Sequence, residues 1–403
     1  MSRLLPRRAG TTGLMLQVVL ATLPGLAALL VFFGTGVLLT VALAVLGAVI
    51  AEAFALWLRG RSIRLGLGDG SAIVTGLLLG LALPPLLPAG LTLLGTGLAI
   101  LLGKHVYGGL GQNPFNPAMV GYAILLVSFP MEMTTWVAAA PLLTDGSAGL
   151  FDAGAVIFAG ASPDAFTGPT PLDDFKYREG QTAAEWQAGS GLGGRFAGAG
   201  WEWVNLGFLA GGLLLLQRRL FRWHAPVGML AALALCAALF WDGGSSSSPG
   251  SPLFHLLSGG TMLGAFFIVT DPVSGAATPR GRLLFGMGVG ILVYVIRAFG
   301  GYPDAVAFAV LLMNAAAPMS PWRSALHNAV GLGLFAAVTV GAIALTVTLT
   351  GDRIEANEER VRQAALLEIL APAAGSGLDV DLTDTVSLRS PALGHRGPQT
   401  AVR

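Results

Sequence analysis

Cysteine and histidine, the residues that most often hold redox metals, are too few and too scattered in this chain to form a metal centre. An iron–sulfur cluster needs about four thiolates, whereas Cys236 is the one cysteine. The histidines lack zinc-like spacing; they are His105, His224, His255, His327 and His395. Any redox chemistry therefore uses an organic cofactor or one shared with a partner.

Charged residues near the ends of apolar segments are the next candidates for binding a cation or a cofactor. Asp271, which precedes Pro272, could bind a cation or cap a broken helix, although a carboxylate at mid-membrane costs about 2.5–3.5 kcal/mol. The topology favours a loop aspartate just past the interface. Lys104 and Arg297 could contact a phosphate or a flavin. We expect both to be anchors that snorkel toward water.

Two glycine- and proline-rich stretches indicate broken backbone. GGLGQNPFNPAM, residues 108–119, holds two Asn-Pro pairs, and GGYPDA, residues 300–305, is its counterpart. Proline removes a backbone donor and disfavours helix in the residue before it. Such backbone is tolerated at membrane depth only where it lines a cavity or packs on protein. We expect a packed core or a cofactor cavity rather than a mere turn.

The one long polar stretch, residues 132–200, contains DAFTGPTPLDDFK at residues 164–176. By composition this is a turn-rich loop with hydroxyls next to prolines. Composition alone gives Thr170 no special role.

These residues must be positioned by membrane helices. The chain has 403 residues, of which 11% are charged, whereas soluble domains carry about 25%. The net charge of +1 argues against nucleic-acid binding. A span needs about 17–25 apolar residues, and we expect the third candidate to be too short. The candidates lie near 13–34, 36–58, 71–84, 88–104, 115–131, 201–217, 224–241, 254–270, 282–299, 303–319 and 326–350.

Basic residues fall on alternate loops. Placing the N-terminus in the cytoplasm puts most of them inside, as the positive-inside rule requires. These are Arg59, Arg61, Arg64, Lys104, His105, Arg218, Arg219, Arg222, Arg280, Arg282 and Arg323. The loop 132–200 and everything after residue 350 are then outside.

The two halves contain similar segments. Residues 71–85 resemble 259–273, and PAMVGYAILL at 117–126 matches PDAVAFAVLL at 303–312, with nearly equal offsets. Five helices separate the copies, so the halves have opposite topology, as in folds with a site near the membrane midplane. Chance similarity between Leu/Ala/Gly-rich helices is the alternative.

Several blocks resemble the D subunit of the Rnf ion-translocating electron-transport complex, with the B subunit of the sodium-translocating NADH:quinone reductase as its cousin. The resemblance covers about residues 12–320. Its blocks are KHVYGGLGQNPFNPAMVGYAILLVSFP (104–130), PTPLDDFK (169–176), AGAGWEWVNLGFLAGG (197–212), HLLSGGTMLGAFFIVTDPVS (255–274) and IRAFGGYPDAVAFAVLLMNAAAP (296–318).

The resemblance implies a covalent flavin. In that family FMN is esterified through its phosphate to a threonine in an external loop, and the motif places the acceptor at Thr170. Pro169 replaces the usual alanine and Ala165 a common glycine. Thr167 is the alternative acceptor, whereas Thr261, in SGGT, lies in a helical element expected to face the membrane.

The C-terminal part resembles another subunit. Residues 327–372 are similar to the start of the G subunit of the same complex, which has one membrane helix and then an external helix. An extra span is the alternative. Residues 373–403 are rich in Gly, Ser and Pro, and we expect them to be disordered.

The expected protein is thus an all-α polytopic membrane protein of about ten transmembrane helices in two inverted five-helix repeats, plus one C-terminal helix. We divide it into a first repeat (1–131), a periplasmic flavin loop (132–200), a second repeat (201–320), a G-like anchor (321–372) and a tail (373–403).

The resemblance implies a redox subunit of the bacterial inner membrane. It would couple electron transfer to cation translocation, working with the A, B, C, E and G subunits and matured by a flavin transferase. A second, non-covalent flavin could occupy the core. A solute channel or transporter, or a non-redox assembly scaffold, are the alternatives.

Overall fold

The computed structural model describes residues 10–139, 148–178, 180–302, 304–316, 385–388 and 399–402. The chain divides into two units, Met1–Pro321 and Trp322–Arg403. In the described part of the first unit, apolar helices form two series of five.

The first series begins with two long helices and continues with shorter ones. Its third helix, α4, starts after Gly70, whose φ of 77° favours glycine, and ends at Ala82, with Leu83 as the cap before Pro84. Asn116 caps α6 by accepting a hydrogen bond from the Met119 amide. The series comprises α1 (Thr11–Phe33), α2 (Gly36–Leu58), the short connector α3 (Ile63–Leu67), α4 (Ser71–Ala82), α5 (Ala89–Ile100) with a π-helical turn (Leu101–His105), and α6 (Pro117–Ser128).

In its described residues, the polar stretch after α6 forms short helices and a small ribbon, which we call the polar layer. A two-stranded antiparallel ribbon sets Trp136 opposite Gly168 and Val137 opposite Thr167, which is a small departure from the all-α expectation. The layer comprises α7 (Pro130–Thr134), β1 (Trp136–Val137), α8 (Leu150–Ala159), β2 (Thr167–Gly168), α9 (Pro171–Lys176) and α10 (Ala183–Gly189).

The second series repeats the order of the first. The predicted segment 254–270 is not one helix: it is broken at Ser258 and Gly259, where Gly259 has a φ of 56°. The series comprises α11 (Trp201–Gln217), α12 (His224–Leu239), the connector α13 (Pro252–Leu257), α14 (Thr261–Leu263) with a π-helical turn (Gly264–Ile268), α15 (Pro279–Phe299) and α16 (Val306–Ala316).

Part of the packing between helices is shared by the two series. The second helix packs on the fourth in both, as α2 on α5 and α12 on α15, and the fourth packs on the fifth. The first helices α1 and α11 contact each other, and so do the fifth helices α6 and α16. This arrangement agrees with the internal repeat that the sequence predicts.

Among the described residues, three helices are long and apolar enough to cross a membrane: α1, α2 and α15. The shorter apolar helices include α4, as expected from its length. The full count of ten spans remains a prediction. The predicted helix 326–350 and the G-like anchor lie outside the described residues.

Contacts between loops agree with the sides that the charges predict. Thr12, at the start of α1, donates to the Gly68 carbonyl at 2.7 Å. Arg59, after α2, donates to the Gly108 carbonyl at 2.9 Å. Thr35, between α1 and α2, instead donates to the Ala148 carbonyl of the polar layer at 3.2 Å.

The second unit is described only at two strands. These are β3 (Thr385–Leu388) and β4 (Gln399–Val402), which pair antiparallel. They lie in the tail that the sequence predicts to be disordered.

Candidate functional site

Thr170, the predicted flavin acceptor, stands between β2 and α9. It caps α9 by accepting the Asp173 backbone amide at 3.2 Å. Its hydroxyl Oγ1 donates to the carboxylate Oδ2 of the same Asp173 at 2.5 Å. Pro171 follows at the first helical position, where its fixed φ suits helix initiation. The hydroxyl is therefore held in one orientation by a single neighbouring residue.

Thr170 and Asp173 line an apolar cavity, named here the Thr170 cavity. Its cavity volume is about 80 Å³. The walls combine both helix series and the polar layer. Their aromatic side chains are Tyr122, Trp136, Trp201, Phe208 and Tyr302.

Two tryptophans form one side of this cavity. Trp136 and Trp201 contact each other edge to face with ring centroids 5.0 Å apart, and Trp201 also packs on Phe33 at 5.1 Å. Trp201 is buried, with 8% of its surface exposed. It is therefore a wall residue of the Thr170 cavity.

The acceptor loop is tied to the helical core by Lys176, at the end of α9. Its ammonium donates to the Arg297 carbonyl at 3.1 Å and to the Gly300 carbonyl. Both carbonyls belong to the C-terminal end of α15, where backbone acceptors lack helical partners. Lys176 therefore fixes α9, and with it Thr170, against the second helix series.

Arg297 is the centre of a buried cluster, and the expectation that it snorkels toward water is wrong. It is 4% exposed and donates to the carbonyls of His255 and Ser258 at 2.8 and 3.3 Å. It also donates to Thr261 Oγ1 at 3.0 Å and to Asp304 Oδ1 at 2.9 Å. The broken backbone between α13 and α14 supplies carbonyls that only a buried donor can satisfy. We call these residues the Arg297 cluster.

Burial shapes the electrostatics around Thr170. Burial raises the pKa of the Asp173 carboxyl, and the nearby Asp304 charge adds to the rise. Hydrogen bonds from Thr170 and the charge of Lys176 oppose it. Burial lowers the pKa of Lys176, which Asp173 partly offsets. Asp173 therefore holds a proton more readily than a free aspartate.

A second buried cluster centres on Lys104, which is also not the snorkelling anchor expected. Lys104 is 2% exposed, and its ammonium lies 2.8 Å from Glu52 Oε2 and 2.8 Å from Ser71 Oγ. His105 Nε2 lies 3.1 Å from the other Glu52 oxygen. Two charges buried among helices must be paired. We call these residues the Lys104 cluster.

Lys104 and Ser71 line a second cavity, the Lys104 cavity, with a volume of about 250 Å³. Asn113 and Asn116 of the predicted broken stretch contribute to it, which confirms that this stretch packs in the core beside a cavity. The other polar lining residues are Thr75, Arg222, Thr270, Asp271 and Arg282. Asp271 itself caps the turn after α14 by accepting the Val273 amide at 3.0 Å and the Ser274 hydroxyl at 2.8 Å.

The other two threonines named from the sequence differ from Thr170. Thr167 lies in β2 opposite Val137 and is not among the residues that line the Thr170 cavity. Thr261 is fully buried, and its hydroxyl is engaged with the carbonyls of His255 and Ser258 and with Arg297. The expectation that Thr261 faces the membrane is therefore wrong.

Two acidic residues of these clusters were not predicted from the sequence. Glu52 is the one acidic residue of α2, and a carboxylate inside a predicted span is a signal of function or of a buried partner. Asp304 lies in GGYPDA, but its pairing with Arg297 follows only from the approach of α15 and α16.

Comparison with known proteins places the chain among membrane redox proteins. Residues 5–320 match the model of the NQR2, RnfD, RnfE family. The chain belongs to this family. Residues 313–369 match the RnfG N-terminal region, as the second resemblance predicts.

Individual relatives of this family agree, and three of them share one name, the D subunit of the ion-translocating oxidoreductase complex. The protein from Ectopseudomonas mendocina is 58% identical over 308 residues, which cover 76% of this chain and 88% of the relative. That from Cellvibrio japonicus is 55% identical over 312 residues, again 76% and 88%. That from Yersinia enterocolitica is 50% identical over 323 residues, 77% and 91%.

Proposed function

We propose that this chain is the D subunit of an ion-translocating oxidoreductase complex and that it carries FMN as a phosphoester on Thr170. Electrons pass through this flavin while the complex moves a cation across the membrane. The observation that carries the proposal is the position of Thr170 at the edge of an apolar, aromatic-walled cavity. A threonine surrounded by solvent would have no apolar wall beside it against which a flavin ring could pack.

The residues of the Thr170 cavity fit a flavin. Cofactor sites are mostly apolar with a few polar groups that fix orientation, and here Tyr122, Thr134 and Asp304 supply the polar groups. When bound, FMN supplies one- and two-electron chemistry at its ring. Trp136 and Trp201 exclude water from the cavity wall, while Lys176 and the Arg297 cluster hold the acceptor loop in place.

The Lys104 cavity suits a second, non-covalent flavin. Phe221, Phe266 and Phe267 provide apolar surface, and Asn113 and Asn116 provide amide groups. Extraction of the purified chain with acid, which leaves a phosphoester in place, should release flavin if this cavity holds one.

The chain would work inside a larger complex of the bacterial inner membrane. The family, the names of the relatives and the RnfG-like region support assembly into a multi-subunit complex, and the partners proposed are its A, B, C, E and G subunits. The N-terminus would be cytoplasmic, and the flavin loop and C-terminal part periplasmic. A flavin transferase would attach the FMN. Cysteine labelling of intact cells at position 169 or 181 tests the side of the loop.

The flavin ester is tested on a denaturing gel. Membranes from a host with an active flavin transferase should show a band fluorescent under ultraviolet light near 41.3 kDa, and intact mass should show one added FMN. Thr170→Ala should abolish both signals. Thr167→Ala and Thr182→Ala are matched controls that should keep them. A dark wild-type band would favour a non-redox scaffold, and fluorescence that survives Thr170→Ala would reject the assigned residue.

A further inference from the structure

We infer that Asp173 is the base that accepts the Thr170 hydroxyl proton when the flavin phosphate is attached. The inference rests on the proposed ester and names the group of this chain that activates its acceptor. A threonine hydroxyl is a weak nucleophile and needs an adjacent base or a partner that does the same work.

The contact between the two side chains has the geometry of proton transfer. Thr170 Oγ1 lies 2.5 Å from Asp173 Oδ2, at the short end of the range of about 2.5–2.7 Å for a hydroxyl on a carboxylate. The same hydroxyl oxygen accepts the Asp173 backbone amide. The hydroxyl proton is therefore directed onto the carboxylate.

A second threonine in the polar layer caps a helix without lining a cavity, and it serves as a comparison for the contact between Thr170 and Asp173. Thr182 and Glu185 have the same spacing, and the Glu185 amide donates to Thr182 Oγ1 at 3.2 Å. Glu185 Oε2 accepts both the Thr182 amide at 2.9 Å and its hydroxyl at 3.0 Å, which is the usual capping box. Thr182 is partly exposed and does not line the Thr170 cavity. A short carboxylate–hydroxyl contact beside a cavity therefore distinguishes Thr170.

The groups around Asp173 favour a carboxylate that can take up a proton. Lys176 faces it from its own helix, Tyr122 from α6, and Asp304 from the segment before α16. Burial and Asp304 raise the pKa of Asp173, whereas the Thr170 hydrogen bonds and Lys176 lower it. Lys176 is engaged with the carbonyls of Arg297 and Gly300.

The step is a phosphoryl transfer without any change of redox state. The donor is a flavin adenine dinucleotide brought by the transferase. Thr170 Oγ1 forms a bond to the FMN phosphorus as the bond from that phosphorus to the bridging oxygen breaks. AMP leaves with the bridging oxygen, and the hydroxyl proton passes to Asp173 and from there to water.

The test is the rate of flavin attachment in vitro. Purified chain, a purified flavin transferase and flavin adenine dinucleotide are mixed, and labelling is followed by gel fluorescence and intact mass across the acidic to neutral pH range. Asp173→Asn keeps the backbone cap but cannot take the proton, so labelling should slow by about 100-fold or more. The rise of the wild-type rate with pH should disappear.

Two further variants keep the result interpretable. Asp174→Asn is the matched control, because Asp174 accepts the Trp186 indole N–H and does not face Thr170; it should keep the wild-type rate and pH profile. Asp173→Glu restores a carboxylate and should recover labelling that Asp173→Asn loses.

Two outcomes would overturn the inference. One is an Asp173→Asn chain that labels at the wild-type rate with the wild-type pH profile. The other is an Asp173→Glu chain that labels no faster than Asp173→Asn. Failure of the wild-type chain to label would instead count against the ester at Thr170 itself.

Discussion

The Arg297 and Lys104 clusters occupy equivalent places in the two helix series. Each cation follows the fourth helix of its series, Arg297 at the end of α15 and Lys104 in the π-helical turn after α5. Each donates to a hydroxyl at the start of the short third helix, which is Thr261 for Arg297 and Ser71 for Lys104. The repeat has thus kept a buried cation over the start of each short helix.

The partners of the two cations differ in kind. Arg297 donates to two backbone carbonyls, of His255 and Ser258, as well as to a carboxylate. Lys104 donates to two side chains, Glu52 and Ser71. A guanidinium suits a fixed fork of acceptors, whereas an ammonium is a compact point charge on a flexible stem. One end of the core therefore holds backbone in place beside Thr170, while the other joins side chains of neighbouring helices.

The largest effect is expected at Arg297. Arg297→Met leaves the partly buried Asp304 without its cation and removes one of the two donors to the His255 and Ser258 carbonyls. The free energy of unfolding should therefore fall by about 3–5 kcal/mol. Thermal unfolding in detergent measures this loss. Arg218→Met, at an exposed position, is the control. If Arg297→Met lowers the melting temperature only slightly, the hydrogen bonds of the guanidinium do not stabilise the Arg297 cluster.

The pair Glu52 and Lys104 should behave differently. Glu52→Gln leaves a buried ammonium without its counter-charge and should cost about 3 kcal/mol. Adding Lys104→Met should restore much of the stability, because an apolar pair often replaces a buried ion pair without loss.

The corresponding double change at the other end should not recover. Arg297→Met with Asp304→Asn still removes the guanidinium hydrogen bonds to the His255 and Ser258 carbonyls, which then keep only the Thr261 hydroxyl as a donor. Each lost hydrogen bond costs about 0.5–1.5 kcal/mol. The same unfolding assay compares the two double variants. If both double variants regain stability equally relative to their single variants, the two clusters do not differ in their dependence on backbone acceptors.

A smaller difference is expected at the two hydroxyls. Ser71→Ala removes one of the two side chains that Lys104 bonds and should cost about 1.5–3 kcal/mol, as for a hydrogen bond to a charged group. Thr261→Val should cost about 1 kcal/mol, because Arg297 keeps its other acceptors. Denaturant unfolding of both variants gives the order. A larger loss of stability for Thr261→Val than for Ser71→Ala would show that Arg297, rather than Lys104, depends more on its hydroxyl partner.

The smallest effect is a pH dependence at Asp173, on the Arg297 side. Its raised pKa means that the folded chain binds more protons than the unfolded chain, so stability falls as pH rises. The fall begins near the ordinary aspartate value of about 3.9 and levels off above the raised pKa. The melting temperature of Asp173→Asn minus that of the wild type should grow across this window. A constant difference would show that Asp173 is not perturbed.

The helical elements were largely predictable from the sequence because apolar runs, caps and breakers are local signals. The bounds of α1, α2 and α11 follow the predicted segments within a few residues. The prediction for residues 254–270 failed because the hydropathy is continuous, whereas the break depends on the backbone of Gly259 and on Arg297, which lies far along the chain.

The candidate site was predictable only in part. The motif located Thr170. The cavity beside it forms where the polar layer contacts both helix series, and contacts between segments so far apart in the sequence leave no local pattern. The predictions for Lys104 and Arg297 were wrong for a similar reason. A basic residue at a helix end usually reaches water, and only the approach of Glu52 or Asp304 makes burial favourable.

The two cavities lie back to back across a thin partition. Ala118 of α6 lines the Lys104 cavity while Met119 lines the Thr170 cavity, and Phe267 and Ile268 divide in the same way. Among the described residues, none lines both. Electrons tunnel through a layer of packed side chains, whereas hydrated ions need an opening. Between the flavins proposed for the two cavities, packed side chains would let electrons through and keep hydrated ions out.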